Sequence, residues 1–151
     1  MVCINTKAVN VSAASAEVSI RASSGQVSKG DIVYVIITIN SSDAMSGFEG
    51  SFSYDSRVLQ YMTGGSVASG NDNRFQIEDT GRETGVNSLK YSIKFVARKE
   101  GSTSIELKQP YAVYNSEDSS KMSVSSDTLN IMVKSKSAKK ADAPQKNDNK
   151  E

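Results

Sequence analysis

Histidine and tryptophan are absent from this 151-residue chain, and cysteine occurs once. Without histidine the commonest general base at neutral pH is missing, together with the usual imidazole ligand of zinc and one half of every Ser-His or Cys-His nucleophile pair. Most hydrolase chemistry is thereby excluded, and the sequence reads as non-enzymatic. Cys3 stands outside any periodic segment and reads as an incidental thiol. No stretch approaches the ~18 consecutive apolar residues of a membrane-spanning helix. Charge of either sign is not in excess: 18 Lys and Arg stand against 17 Asp and Glu, which gives no chain-wide attraction to nucleic acid or anionic lipid. Carboxylates are what remains for acid–base work, and "QIEDTGRE" offers Glu78, Asp79 and Glu83. A solvated acidic turn explains them more simply than a glycosidase pair spanning a groove. Asn71, Asp72 and Asn73 just before it lack the ligand spacing of a calcium loop. No metal or cofactor is expected.

The chain length suits one domain with a sizeable core. Its two ends differ from its middle. "MVCINTKAVNVSAASAEV" is similar to the end of a secretory signal peptide, with Ala14-Ser15-Ala16 as an A-x-A cleavage pattern before Glu17. Residues 1–16 therefore read as a truncated leader or a disordered N-terminus. Residues 134–151, "KSKSAKKADAPQKNDNKE", hold six lysines against three acidic residues and nothing apolar larger than alanine or proline, too little to offset the entropy of ordering. They read as a solvated tail or linker, and the folded unit as residues 17–133.

Within that unit, alternation of period two recurs and helical periodicity is scarce. "AEVSIRA" points Val18, Ile20 and Ala22 one way. "DIVYVIITIN" places Val33, Val35, Ile37 and Ile39 on one face and Ile32, Tyr34, Ile36 and Thr38 on the other, so both faces of this strand are apolar. "GFEGSFSY" turns Phe48, Gly50, Phe52 and Tyr54 inward and Glu49, Ser51 and Ser53 outward. "RFQIED" buries Phe75 and Ile77, and "SLKYSIKFVA" buries Leu89, Tyr91, Ile93, Phe95 and Ala97. Shorter runs follow at residues 103–107, 111–114 and 129–133, with an irregularity at 123–127. Turn signals separate the runs, among them "SSGQ", "NSSDAMSG", "SGNDN" and "DTGRETG". Eight or nine short strands with no βαβ alternation predict an all-β fold, an antiparallel β-sandwich of jelly-roll or immunoglobulin-like type.

The alternation breaks at Tyr54-Asp55, where Val58 and Leu59 stand side by side. Asp55 can accept hydrogen bonds from backbone N–H groups two or three residues on, so one helical turn is expected there. That turn would carry the chain from one sheet to the other, with Leu59, Tyr61 or Met62 sealing the core.

"SKGDIVYVIITI", then "GFEGSFSYDSRVLQYMTGG", then "SLKYSIKFVARKEGSTSIEL" together resemble the cohesin family, the receptor modules of cellulosome scaffoldins and related bacterial surface proteins. The matching pieces are the Gly-Asp plus alternating strand at residues 30–39, the aromatic-x-Tyr-Asp-x-x-x-Leu pattern at 52–59, and the basic-aromatic strand ending in Lys-x-Gly-x-x-x-Ile-x-Leu. The stretch between "YMTGG" and "SLKYSIKF" is shorter than in cohesins of well-studied cellulosomes, and here supplies one strand or two short ones. The resemblance implies a secreted or cell-surface module that binds a dockerin-type protein module by the outer face of one sheet, the calcium belonging to the partner. Carried over residue by residue, Glu49 stands where relatives have an outward acidic or polar residue. Ser51 and Ser53 share its face, with Ser104 and Glu106 expected on one neighbouring strand and Gln76 and Glu78 on the other. Two other readings remain open. One is a carbohydrate-binding module, for which Tyr34, Tyr111 and Tyr114 are the available rings, although "YAVY" spacing would put its two tyrosines on opposite faces. The other is a passive immunoglobulin-like spacer or adhesin domain.

Overall fold

The computed structural model describes residues 14–135. Its regular elements are ten strands: β1 (Ser15–Ala22), β2 (Gln26–Ser28), β3 (Ile32–Ser53), β4 (Leu59–Thr63), β5 (Ala68–Asn71), β6 (Arg74–Asp79), β7 (Val86–Ala97), β8 (Gly101–Asn115), β9 (Ser123–Ser126) and β10 (Leu129–Lys134). No helix among the described residues is long and apolar enough to cross a membrane. The leader reading falls mostly on residues 1–13 and the tail reading mostly on 136–151, both outside the described residues. Ser15 and Ala16, from the cleavage pattern, are the first two residues of β1, and Ala16 is buried.

The strands form two layers that share β3. Its first part, Ile32 to Asn40, pairs with β1 on one side and β7 on the other, and β9 and β4 extend that layer at its two edges. Its second part, Phe48 to Ser53, pairs with β6 and β8, and β5, β10 and β2 complete the second layer. The sequence reads β3 as two strands joined by a turn at "NSSDAMSG". In the structure the chain runs straight on through that segment and changes layer. Register shifts between Asn40 and Met45 against β7, and between Met45 and Gly47 against β8, supply the bend. The polar residues of the segment then serve the corner: Ser42 Oγ accepts from the Ser15 N–H at 3.0 Å, and Asn115 Nδ2 donates to Asp43 Oδ2 at 3.2 Å.

Residues 103–107 and 111–114 likewise belong to one strand, β8. Gln109 and Pro110 are extra residues at a second shift, where Ser51 faces Lys108 and Gly50 faces Tyr111. Proline has no N–H to give to a ladder, and a bulge is where a strand tolerates it. The sandwich is also not wholly antiparallel. β9, where the sequence shows only an irregularity, runs parallel to β1, and β2, inside a stretch read as turns, runs parallel to β10. Each parallel pair joins segments more than 100 residues apart, so no hairpin dictates their direction.

The core follows the alternation. Val18, Ile20, Val33, Val35, Ile37, Ile39, Phe48, Phe52, Phe75, Ile77, Ile93 and Phe95 are fully enclosed. The four phenylalanines form one cluster: within the second layer Phe52 stacks on Phe75 at 4.9 Å and meets Phe48 at 6.2 Å, and across the layers Phe75 meets Phe95 edge-on at 5.6 Å. Tyr54 and Tyr61 add edge contacts to Phe95 at 5.1 and 5.9 Å. Burial raises the Tyr91 phenol well above its ordinary range, and its hydrogen bond to Asp79 Oδ2, 2.8 Å, adds to the effect.

At the second corner Asp55 accepts the Arg57 N–H on Oδ1 at 2.9 Å, and its carbonyl accepts from Val58 and Leu59 at 3.0 and 3.1 Å. One hydrogen-bonded turn forms and no helix follows, because Leu59 at once enters β4 and pairs with Ala97. Leu59 is fully buried and Tyr61 half-buried against the aromatic cluster. Met62 is 48% exposed and seals nothing, since it sits at a register shift between Tyr61 and Thr63.

Two consequences are measurable. A Cβ on Gly47 would lie 2.5 Å from the Asp79 carbonyl oxygen and the Thr80 Cα, backbone atoms that cannot step aside. Gly47→Ala should therefore lose about 1–3 kcal/mol by overpacking, and Phe52→Ala about 3–5 kcal/mol by leaving a cavity, both read as urea unfolding midpoints. Hydrogen bonds from the Arg57 side chain and backbone hold the Asp55 carboxyl below its ordinary range. A depressed folded value means that the stabilisation is complete above the unfolded carboxylate range and is lost as pH falls through the folded value. The stability gap between wild type and Asp55→Asn should be present at neutral pH and close in strong acid.

Candidate functional site

The outer face of the second layer gathers the polar side chains that alternation turns away from the core. β3 contributes Glu49, Ser51 and Ser53. The β3–β6 register sets Glu49 opposite Glu78, Ser51 opposite Gln76 and Ser53 opposite Arg74. On the other side β8 sets Ala112 opposite Glu49, Lys108 opposite Ser51 and Glu106 opposite Ser53. All seven residues singled out in the sequence thus lie on β3 and its two flanking strands. Glu49, Ser51, Gln76 and Glu78 line one hollow of about 200 Å³, together with Tyr111 and Lys121. Ser53 and Ser104 line a second, wider depression of about 450 Å³ beside the Asp55 corner. Glu106 lies in neither and pairs with Lys108 at 3.0 Å. Ser104 Oγ donates to Asn130 Oδ1 of β10 at 2.7 Å.

Glu49 is the best-defined group of the face. It is half-buried, and its Oε2 accepts a short hydrogen bond from the Tyr114 hydroxyl. That bond, with some burial, raises the Tyr114 phenol above its ordinary value, since ionisation would set a phenolate against a carboxylate. The protonated Tyr114 hydroxyl donates to the Glu49 carboxylate and restricts where it can lie. Glu78, directly across, has no side-chain hydrogen bond or ion pair among the described residues. Like charges at opposed positions of antiparallel strands are unfavourable, and Lys121 lines the same hollow as this pair.

The two tyrosines of "YAVY" both border the Glu49 hollow or its edge. Tyr114 reaches Glu49, and Tyr111 lines the same hollow, just past the Gln109–Pro110 bulge. Tyr34, the third candidate ring, lies on the first-layer part of β3 and shares no surface with them. Tyr114 as the partner of Glu49 is not readable from sequence, because 65 residues separate the two. Among the acidic residues of "QIEDTGRE", Asp79 is engaged structurally: one of its oxygens accepts from Tyr91 and from Arg82, each at 2.8 Å.

The edge of the face is the β5–β6 hairpin, the two short strands drawn from the abbreviated middle region. Its turn is tied to the Asp55 corner. The Tyr54 hydroxyl donates to the Asn71 carbonyl at 2.7 Å, and Ser56 donates through both N–H and Oγ to Asn73 Oδ1 at 2.9 Å. Asn73 has φ of 66°, a left-handed conformation that asparagine tolerates. Asn71 and Asn73 thus serve the turn.

The architecture is similar to that of a non-cellulosomal cohesin from the hyperthermophilic archaeon Archaeoglobus fulgidus, with a TM-score of 0.64 at 17% identity, covering 85% of this chain and 97% of that one. It is also similar to the sixth cohesin of scaffoldin B from Acetivibrio cellulolyticus, solved in complex with a mutant Cel5 dockerin: TM-score 0.61, 13% identity, 79% of this chain and 99% of the other. A third likeness is to the OlpA cohesin from Clostridium thermocellum, solved with the Doc918 dockerin, at TM-score 0.59 and 14% identity over 80% and 99% of the two chains. No protein-family model matches the sequence, and no characterised protein matches it by sequence. At such identities the likeness is one of fold, and the domain has the cohesin fold.

The Glu49–Tyr114 contact has a direct spectroscopic consequence. Removing the charge with Glu49→Gln should lower the Tyr114 titration toward that of an ordinary phenol, followed by NMR of ¹³C-labelled tyrosine. The Tyr91 titration should stay high in the same variant.

Proposed function

We propose that this domain is a non-catalytic binding module that docks a dockerin-type protein module on the β8–β3–β6–β5 face, with Glu49 at the centre of the contact. The observation that carries this reading is the half-buried, hydrogen-bonded Glu49 in a hollow with Glu78, Gln76 and Ser51, on a domain whose fold is that of cohesins. Similar domains have been solved in complex with dockerins. A rim of serine, glutamine and glutamate suits moderately wet recognition through hydrogen bonds, and a face built on strands presents those groups rigidly. Ser53, Ser104 and Glu106 extend the contact toward the Asp55 corner. The calcium of such a complex belongs to the partner. The setting that fits this activity is an extracellular or cell-surface polysaccharide-degrading assembly.

The test is capture of purified dockerin modules by the immobilised domain. Wild type should retain a dockerin, and Glu49→Arg should lose it while still unfolding cooperatively, with only the small fall in melting temperature that loss of the Tyr114 hydrogen bond brings. Chelation of calcium should also abolish capture while leaving the melting temperature of this domain alone. Retention by Glu49→Arg equal to wild type would remove this face from consideration, and failure of the wild type to hold any dockerin would remove the partner class.

A further inference from the structure

The first layer also has an outer face, and the docking reading leaves it unused. There the outward residues Ile32, Tyr34 and Ile36 of β3 form a row in which Ile32 is 44% and Tyr34 is 43% exposed. The β3–β7 register places Val96 beside Ile32, Lys94 beside Tyr34 and Lys90 beside Thr38. Scattered exposed apolar side chains are ordinary. A row at alternate positions of one strand, continued by Val96 next door and bordered by the exposed Met62 of β4, is a contiguous patch.

The charge on the β7 side of this row is basic, while the β1 side holds Arg21 with Asp127, and Glu17 beside Asn40. Outward positions of β3, β7 and β4 here hold Lys90 and Lys94 and no carboxylate, and neither lysine makes an ion pair among the described residues. Arg21, on the β1 side of the row, is already neutralised by Asp127 at 2.6 Å. An occupant that satisfies the face must therefore bring both apolar side chains and negative charge.

We propose that this face is a second docking surface, and that its occupant is an acidic protein segment bearing apolar side chains. The apolar groups would cover Ile32, Tyr34 and Ile36, and the carboxylates would meet Lys94 and Lys90. A second copy of the chain is the poorer fit, because the same face of a second copy brings the same unpaired lysines rather than an excess of carboxylates. An anionic bilayer is poorer too, since electrostatic capture by lipid takes clusters of about 4–8 basic residues.

Amide NMR of the full chain tests this with three defined probes: a short synthetic peptide alternating Glu with Leu and Phe, the same peptide with Lys for Glu, and phosphatidylserine-containing vesicles. The glutamate peptide should shift amides of residues 32–38 and 90–96, and should bind about tenfold or more weakly to Lys90→Glu/Lys94→Glu and to Tyr34→Ser/Ile36→Ser. Glu49→Arg should bind it as wild type does, so this result is independent of whether any dockerin is captured. All these variants alter exposed or half-exposed side chains, and cooperative thermal unfolding would show them folded. The proposal is overturned if the glutamate peptide shifts nothing on this face, if the lysine peptide binds equally, or if vesicles hold the chain more tightly than the peptide does. It is also overturned if sedimentation reveals a dimer that Tyr34→Ser/Ile36→Ser dissolves.

Discussion

One strand belongs to both layers, and everything else in the molecule is placed relative to it. Before its bend β3 hydrogen-bonds to β1 and β7, and after it to β6 and β8. The two layers are therefore joined by continuous backbone as well as by packing. The bend requires close approach: Gly47 lies against the backbone of Asp79 and Thr80, where a side chain has no room. Because the register shifts at the bend keep apolar residues facing inward on both sides of it, Val33 to Ile39 and Phe48 to Phe52 close on the same core.

The shared strand also makes two different surfaces out of one alternation. Its outward positions are apolar in the first layer and polar in the second, so the two outer faces of the sandwich differ in chemistry although the same chain segment supplies the centre of each. Neither face depends on a long loop. Side chains on paired strands are held by the ladder and by the packing beneath them, which is the usual requirement for a contact surface that need not reorganise on binding. Glu49 is held further by Tyr114, a bond that restricts its rotamers.

The β5–β6 hairpin is fastened at its turn. Tyr54 and Ser56, at the corner where the chain leaves β3, reach the carbonyl of Asn71 and the side chain of Asn73. Tyr61, on the strand that follows, packs against Phe75 at 6.2 Å. The corner after β3 and the strand that follows it thus both brace the outer edge of the polar face.

Alternation with a period of two, read residue by residue, determined which side chains are buried: Phe52, Tyr54, Phe75, Tyr91 and Phe95 are inside, and Glu49, Ser51 and Gln76 face out, because a strand's geometry allows only two directions. It also located the Asp55 corner, whose cause is a local hydrogen bond two residues long. What it could not determine was which strands continue into one another and which lie side by side. "NSSDAMSG" has the composition of a turn, and only the packing of both layers shows that it bends a single strand. The parallel pairings of β9 and β2 and the meeting of Tyr114 with Glu49 join residues far apart in the chain, and a contact between distant segments is decided by the closure of the whole core, of which no local pattern keeps a record.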